Sequence, residues 1–297
     1  MRSRLLILAA LVAAAPAGAD PLCQNELFRI DVQFEGGQAD ECRFRKDDSV
    51  VLTVYNEDET VDDAFSWFAF RATSPESREL RVKLRFPTST ARFWPKLSDA
   101  GESWSPLPSD AVRRGWREKT MRFTVVADAD GTFVASQELR TLPWYESWFD
   151  ELAAHPELSV SEIGQSVEGR PIRLARGSDK REVVLLIGRQ HPAEVPGARA
   201  MRSFTDTVLG DSDLARRFRD RFALFILPLM NPDGVVNGHA RHNSGKTDIN
   251  RDWGPFTQPE TQAVARLLDE LDETGLRLSL MLDFHATRMT PTMIFYT

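Results

Sequence analysis

The feature that most constrains this chain is a change of hydrophobic period about halfway along it, at "LPWYESW" (Leu142–Trp148). From about residue 26 to 140, apolar residues recur at every second position, as in "VVLTVYN" (Val50–Asn56), "LRVKLRF" (Leu80–Phe86) and "MRFTVVAD" (Met121–Asp128). "AFSWFAFRA" (Ala64–Ala72) and "TFVASQEL" (Thr132–Leu139) repeat the pattern. Successive strand side chains point to opposite faces, so this alternation marks strands with one buried side. Turn-forming clusters such as "NEDET", "TSPES" and "ADADG" separate the runs. Several short strands at regular spacing predict an antiparallel β-sandwich over residues 20–140. Trp67, Trp94, Trp104 and Trp116 read as core or contact residues of that domain, with a carbohydrate-binding face as the alternative.

After the switch the grammar is different. "YESWFDELAAHP", "PGARAMRSFTDTVLG", "DSDLARRFRDRF" and "QPETQAVARLLDELDET" read as helices. "REVVLLIGRQ", "ALFILPLM" and "LRLSLMLDFH" are near-continuous apolar runs between them. Such strands alternating with helices predict an α/β domain whose sheet is covered on both faces, over residues 144–297. Ligands of these sheets bind where loops leave the carboxyl ends of the strands. That is where the polar motifs of this half lie.

Residues 1–19 have the layout of an export signal. Arg2 and Arg4 precede an apolar run from Leu5 to Ala15, and Ala17-Gly18-Ala19 supplies a small-residue cleavage site. Cleavage after Ala19 and a periplasmic or secreted protein are expected, without stable membrane insertion once the leader is removed. Cys23 and Cys42, the only cysteines, are then expected to form one disulfide. The formal net charge of −7 argues against a nucleic-acid partner, because phosphate binding needs a cationic face.

The strand "VVLLIG" runs straight into "RQHPAE", and the last strand ends in "DFH". His191, Glu194 and His285 therefore gather at one edge of the sheet. Two imidazoles and a carboxylate with an open fourth position make a catalytic zinc arrangement. Between them lies "NPDG" (Asn231–Gly234), which reads as a turn. His155 reads as a helix-capping residue, and His239 and His242 as loop residues.

The stretch "ARHNSGKT" (Ala240–Thr247) echoes a phosphate-binding loop, but its context excludes a nucleotide. Such a loop follows its strand directly and opens a helix. Here the strand ends near Met230, and "DINRDWGP" is polar and broken by Gly254-Pro255. Arg241, Asp248, Asn250 and Arg251 point to a different anion, since guanidinium and amide groups grip a carboxylate.

In their order, "IGQSVEGRPI", "HPAE", "NPDG", Arg241, "DINR" and "DFH" resemble the zinc metallocarboxypeptidase family. The β-rich region ahead of them is similar to the cytosolic-carboxypeptidase-like branch. The resemblance implies a mixed sheet with helices on both faces and one Zn²⁺ held by His191, Glu194 and His285. It implies that Arg241 stabilises the oxyanion, and that Asn250 and Arg251 bind the terminal carboxylate of a peptide or protein. Asp248 becomes the acceptor that orients a ligand imidazole, that of His191. Arg170 is assigned a structural role only.

The family places its general base, a Glu, and a substrate-capping Tyr well beyond the third ligand. Neither is found in the residues after His285, and neither Glu260 nor Tyr296 stands at the matching place. The expectation is of a chain without its C-terminal part and with poor peptidase activity by itself. Two alternatives stay open: a zinc-dependent amidohydrolase of N-acyl amino acids, and a non-catalytic protein that grips peptide C-termini.

Overall fold

The alternating segments of the N-terminal half form strands in two sheets, because each has one apolar row to bury. The structure, a computed structural model, describes residues 20–58, 65–177 and 180–286. It divides into two units, Met1–Trp148 with Val235–Ala240, and Phe149–Gly234 with Arg241–Thr297. The expected leader, Ala64 and Tyr296 lie outside the described residues.

The first unit contains β1 (Cys23–Gln24), β2 (Arg29–Asp31), β3 (Glu41–Lys46), β4 (Ser49–Thr53), β5 (Ala69–Thr73) and β6 (Arg78–Arg85). It continues with β7 (Lys96–Ser98), β8 (Ser105–Pro106), β9 (Arg113–Arg114), β10 (Thr120–Ala127) and β11 (Thr132–Ala135). One sheet has the order β1-β2-β5-β11-β7-β8 and the other β3-β4-β6-β10-β9. Ile30, Phe70 and Ala72 of the first join Leu52, Leu80, Val82, Leu84 and Met121 of the second in one buried cluster. Each of these side chains larger than alanine contributes roughly 1.5–3 kcal/mol by leaving water. The expected antiparallel pattern has one exception, since β4 pairs with β6 in parallel. The chain crosses to the other sheet through β5 between them, so β4 and β6 run in the same direction. Cys23 and Cys42 are disulfide-bonded, with 5.6 Å between their Cα atoms. Trp67 is buried and donates to the Gly36 carbonyl, whereas Trp116 is 78% exposed and belongs to no core.

The second unit begins within α1 (Leu142–Ala154) and runs through β12 (Leu158–Gln165), β13 (Pro171–Gly177), β14 (Glu182–Gly188), α2 (Val195–Leu209) and α3 (Asp213–Arg221). It continues with β15 (Phe222–Leu227), α4 (Pro232–Val236), α5 (Pro259–Glu273) and β16 (Arg277–Phe284). The sheet order is β12-β13-β15-β14-β16, mixed in direction, with β14 parallel to both β15 and β16. Val183, Leu185 and Ile187 pack with Ala263, Val264 and Leu267 of α5 on one face. Val184 and Leu186 point the other way, where α2 and α3 contact the sheet.

Two local expectations change. "NPDG" is the first turn of α4 rather than a simple turn, because Asn231 caps it by accepting from the Gly234 N–H at 2.9 Å. Burial on both faces holds for β14 and β15 but not for β16, where Leu278, Leu280 and Met281 are 38–45% exposed. Among the described strands β16 pairs only with β14, so it forms an edge. No helix among the described residues is long and apolar enough to cross a membrane.

Candidate metal centre

Parallel pairing of β14 with β16 sets Gly188 beside Phe284, so both strands deliver their carboxyl ends to one place. His191 and Glu194 follow the first strand, and His285 follows the second. Glu194 is the N-cap of α2, whose positive end favours a carboxylate. The approach depends on Gly197 in α2. A Cβ there would lie 2.9 Å from the His285 carbonyl carbon, a backbone atom that cannot step aside cheaply. Gly197 therefore lets the helix close on His285.

The three side chains meet around Glu194. Its Oε1 lies 3.1 Å from His191 Nδ1 and its Oε2 lies 2.8 Å from His285 Nδ1. One ligand atom from each residue falls within 4.8 Å of the others. The outer nitrogens are also occupied. His191 Nε2 is 3.0 Å from Asp248 Oδ1, and His285 Nε2 is 2.8 Å from Asp283 Oδ2. Each imidazole thus has an outer carboxylate to hold its Nε2 proton, leaving Nδ1 to face the common point.

The electrostatics fit a cation. Burial works against ionising Glu194, but hydrogen bonds and charge from His191 and His285 outweigh it and bring its pKa down to about 2. Burial works against protonating His285 too, yet Asp283 and Glu194 raise it to about 10. Without a metal, the imidazolium supplies the positive charge around which the carboxylates are arranged. The donor set, two imidazoles and a carboxylate, suits Zn²⁺ with one position open.

Asp248 joins His191 to Arg241 and Asn250. Its Oδ2 accepts from Arg241 Nε at 2.7 Å, and its Oδ1 also accepts from the Asn250 backbone N–H at 3.0 Å. Burial opposes its ionisation, but His191 and Arg241 hold its pKa well below the usual carboxylate range. Asn250 is therefore tied to the cluster through its backbone. Arg251 is exposed, and its guanidinium donates to the Asn250 carbonyl at 3.2 Å. Its backbone N–H also donates to the Asp248 carbonyl at 2.8 Å, so Arg251 is tied to the set through the main chain while its side chain stays at the surface.

Asp283 and Gln190 were not anticipated. Gln190 Nε2 donates to Asp283 Oδ2 at 2.5 Å, and its Oε1 accepts from Trp253 Nε1 at 3.0 Å. The signal for Asp283 was present in "DFH", because residues two apart on a strand share a face. Gln190 carried no such signal, since its partners lie 63 and 93 residues away.

The phosphate-loop echo is a turn organised by buried Asn243. Its Oδ1 accepts from the Thr247 N–H at 3.0 Å, and its Nδ2 donates to Gln258 Oε1 at 2.9 Å and Glu260 Oε2 at 3.1 Å. Glu260 is buried at the start of α5, where desolvation raises its pKa. Arg170 is likewise structural, donating to buried Asp233 at 2.7 Å.

A sequence model described as zinc carboxypeptidase matches residues 145–295, half of the chain. Mouse cytosolic carboxypeptidase 6 is 30% identical over 147 residues, which are 44% of this chain and 27% of that protein. An uncharacterised protein of Zymomonas mobilis is 22% identical over 270 residues, 89% of this chain and 68% of its own length. The crystal structure of a metallo-carboxypeptidase from Burkholderia cenocepacia superposes with a TM-score of 0.72 at 23% identity. It covers 88% of this chain and 70% of that one. The last likeness concerns the fold, and the chain spans about a quarter of the mouse relative.

Proposed function

The chain belongs to the zinc carboxypeptidase family, and from that premise we propose that it hydrolyses the C-terminal peptide bond of peptides or proteins with one zinc ion. The observation that carries the proposal is the meeting of His191, Glu194 and His285 beside the Asp248–Arg241 pair. Those three residues would hold the zinc ion, whose chemistry when bound would be to polarise a substrate carbonyl and to acidify a water.

Side chains of the described residues bind and polarise the substrate, and none of them is assigned the part of general base. Arg241, oriented by Asp248, donates to the carbonyl oxygen as negative charge develops on it. Asn250 and Arg251 hold the terminal carboxylate, Arg251 by turning its exposed guanidinium from the Asn250 carbonyl to the substrate. Asp248 and Asp283 keep the Nε2 protons of the two ligand histidines, so that both present Nδ1 to the metal. Export rests on the leader-like residues 1–19, and N-terminal sequencing of the mature protein should start at Asp20.

Metal analysis tests the site directly. The wild type should bind one zinc per chain, and a His191→Ala, Glu194→Ala double variant close to none. Equal metal content in the two proteins would overturn the assignment. A zinc-loaded protein that cleaves an N-acylated amino acid but no peptide would replace peptidase with amidohydrolase.

A further inference from the structure

The outward face of the β3-β4-β6-β10-β9 sheet carries an array of cations that the metal centre does not use. One row across the sheet, by strand register, reads Arg43, Val51, Lys83, Arg122, Arg113. Lys83 is thus directly opposite Arg122, and Arg122 directly opposite Arg113. The neighbouring rows add Arg81, between Ser49 and Thr124, and Arg85, between Thr53 and Thr120. The cations of these rows line a concavity of about 770 Å³ together with Arg45 and Lys46.

This arrangement works against the fold. Like charges directly opposite on neighbouring strands are destabilising. Only Arg81 has an ion-pair partner among the described residues, Asp48 at 2.5 Å. Glu41 lies at the end of the Arg85 row, where it bonds with Tyr55. Lys83 is half-buried on the floor, and burial followed by the charges of Arg122, Arg85, Arg45 and Arg43 lowers its pKa. The chain has more acidic than basic residues, 44 against 37, yet among the described residues no carboxylate forms an ion pair with this row.

We propose that this concavity is a binding site for a short oligophosphate, a compact chain of directly linked phosphate groups. Charge density decides the class. Facing strands are spaced by about 4.8 Å and same-face residues of one strand by about 6.8 Å, so the cations sit close together. An extended acidic peptide offers one carboxylate per about 6.8 Å on a face, enough for the cations of one strand but not also for those facing them about 4.8 Å away. Linked phosphates carry a charge on almost every unit, and arginine forks match phosphate oxygens bidentately. Nucleic acid fits less well. The one aromatic residue lining the concavity, Phe123, is 5% exposed and offers no platform for base stacking. Free tripolyphosphate is the simplest member of the class.

Calorimetric titration of the metal-free whole chain with inorganic tripolyphosphate tests the proposal, with metal removed because phosphate chains chelate zinc. One equivalent should bind, more weakly as salt is added. The Lys83→Gln, Arg122→Gln double variant should lose about tenfold or more in affinity. An Arg216→Gln, Arg217→Gln variant of exposed α3 removes the same net charge elsewhere and should bind as the wild type does. Pentaglutamate and a ten-residue oligothymidylate should each bind more weakly than tripolyphosphate at equal ionic strength. No binding by the wild type, equal losses in the two double variants, or preference for pentaglutamate or oligothymidylate would overturn the proposal. Melting temperatures at or above that of the wild type establish that the variants are folded.

Discussion

Glu194 and Lys83 are both charged groups withdrawn from full solvent, and their surroundings are of opposite kinds. Around Glu194 every charge has a counterpart: two imidazoles on its oxygens, and Asp248 and Asp283 behind them. Lys83 faces Arg122 on β10, and Arg85, Arg45 and Arg43 are near enough to act on its charge. A compensated cluster is preorganised, because its groups are held in place before any ligand arrives. An uncompensated one stores repulsion that a ligand of opposite charge relieves. The two regions should therefore respond in opposite directions when a charge is removed.

The largest expected effect is at Arg241. In a zinc-loaded, active preparation, Arg241→Ala should lower kcat by roughly 10²–10³-fold, as loss of an oxyanion donor does elsewhere. Its zinc content should remain that of the wild type, since Arg241 is not a ligand. Loss of metal together with rate would show that Arg241 acts through Asp248 alone.

Next come the outer carboxylates. Asp248→Ala and Asp283→Ala should each weaken zinc by roughly 10–100-fold in competition with a chelator. Gly197→Ala should act in the same direction, because its new Cβ presses on the His285 backbone. If Asp283→Ala binds zinc normally, the Gln190–Asp283–His285 chain is a packing feature only.

Stability against pH separates the regions further. In metal-free protein the His285 pKa is raised to about 10 and the Glu194 pKa lowered to about 2, two ends of one ion pair. The histidine contribution is fully present below its unfolded value of about 6.5 and is lost as pH rises through about 10. The carboxylate contribution is present above about 4.3 and is lost as pH falls through about 2. Melting temperature should thus be highest between these unfolded values, and His285→Gln should flatten the alkaline limb. With zinc the alkaline limb should reverse, because the metal competes with the His285 proton. A His285→Gln variant that keeps the wild-type alkaline limb would remove the ion pair from the account.

The smallest effect is expected at the cationic face. Lys83→Gln should stabilise the protein by up to about 1 kcal/mol at low ionic strength, by relieving repulsion from Arg122. Salt should erase the gain. Destabilisation would mean that Lys83 has a partner after all and would blur the contrast with Glu194.

Much of this was legible in the order of residues. The period of two announced the sheets of the first unit, and the apolar runs of β14 and β15 announced a sheet buried on both faces. His191, Glu194 and His285 were legible because each follows such a run, and parallel strands deliver their ends to one edge. Gln190, Gly197 and Asp283 were harder. Their roles depend on partners far away in sequence or on the closeness of two backbones, and neither leaves a local pattern.

By itself the sequence determined the alternation that makes strands, the apolar helix faces, and the donor chemistry of His191, Glu194 and His285, since these are properties of neighbouring residues. Only the tertiary structure decided which carboxylate stands behind which imidazole, and that Gly197 makes room for His285. It alone brought Lys83, Arg122 and Arg113 side by side, because strand register is set between segments and is written in neither of them.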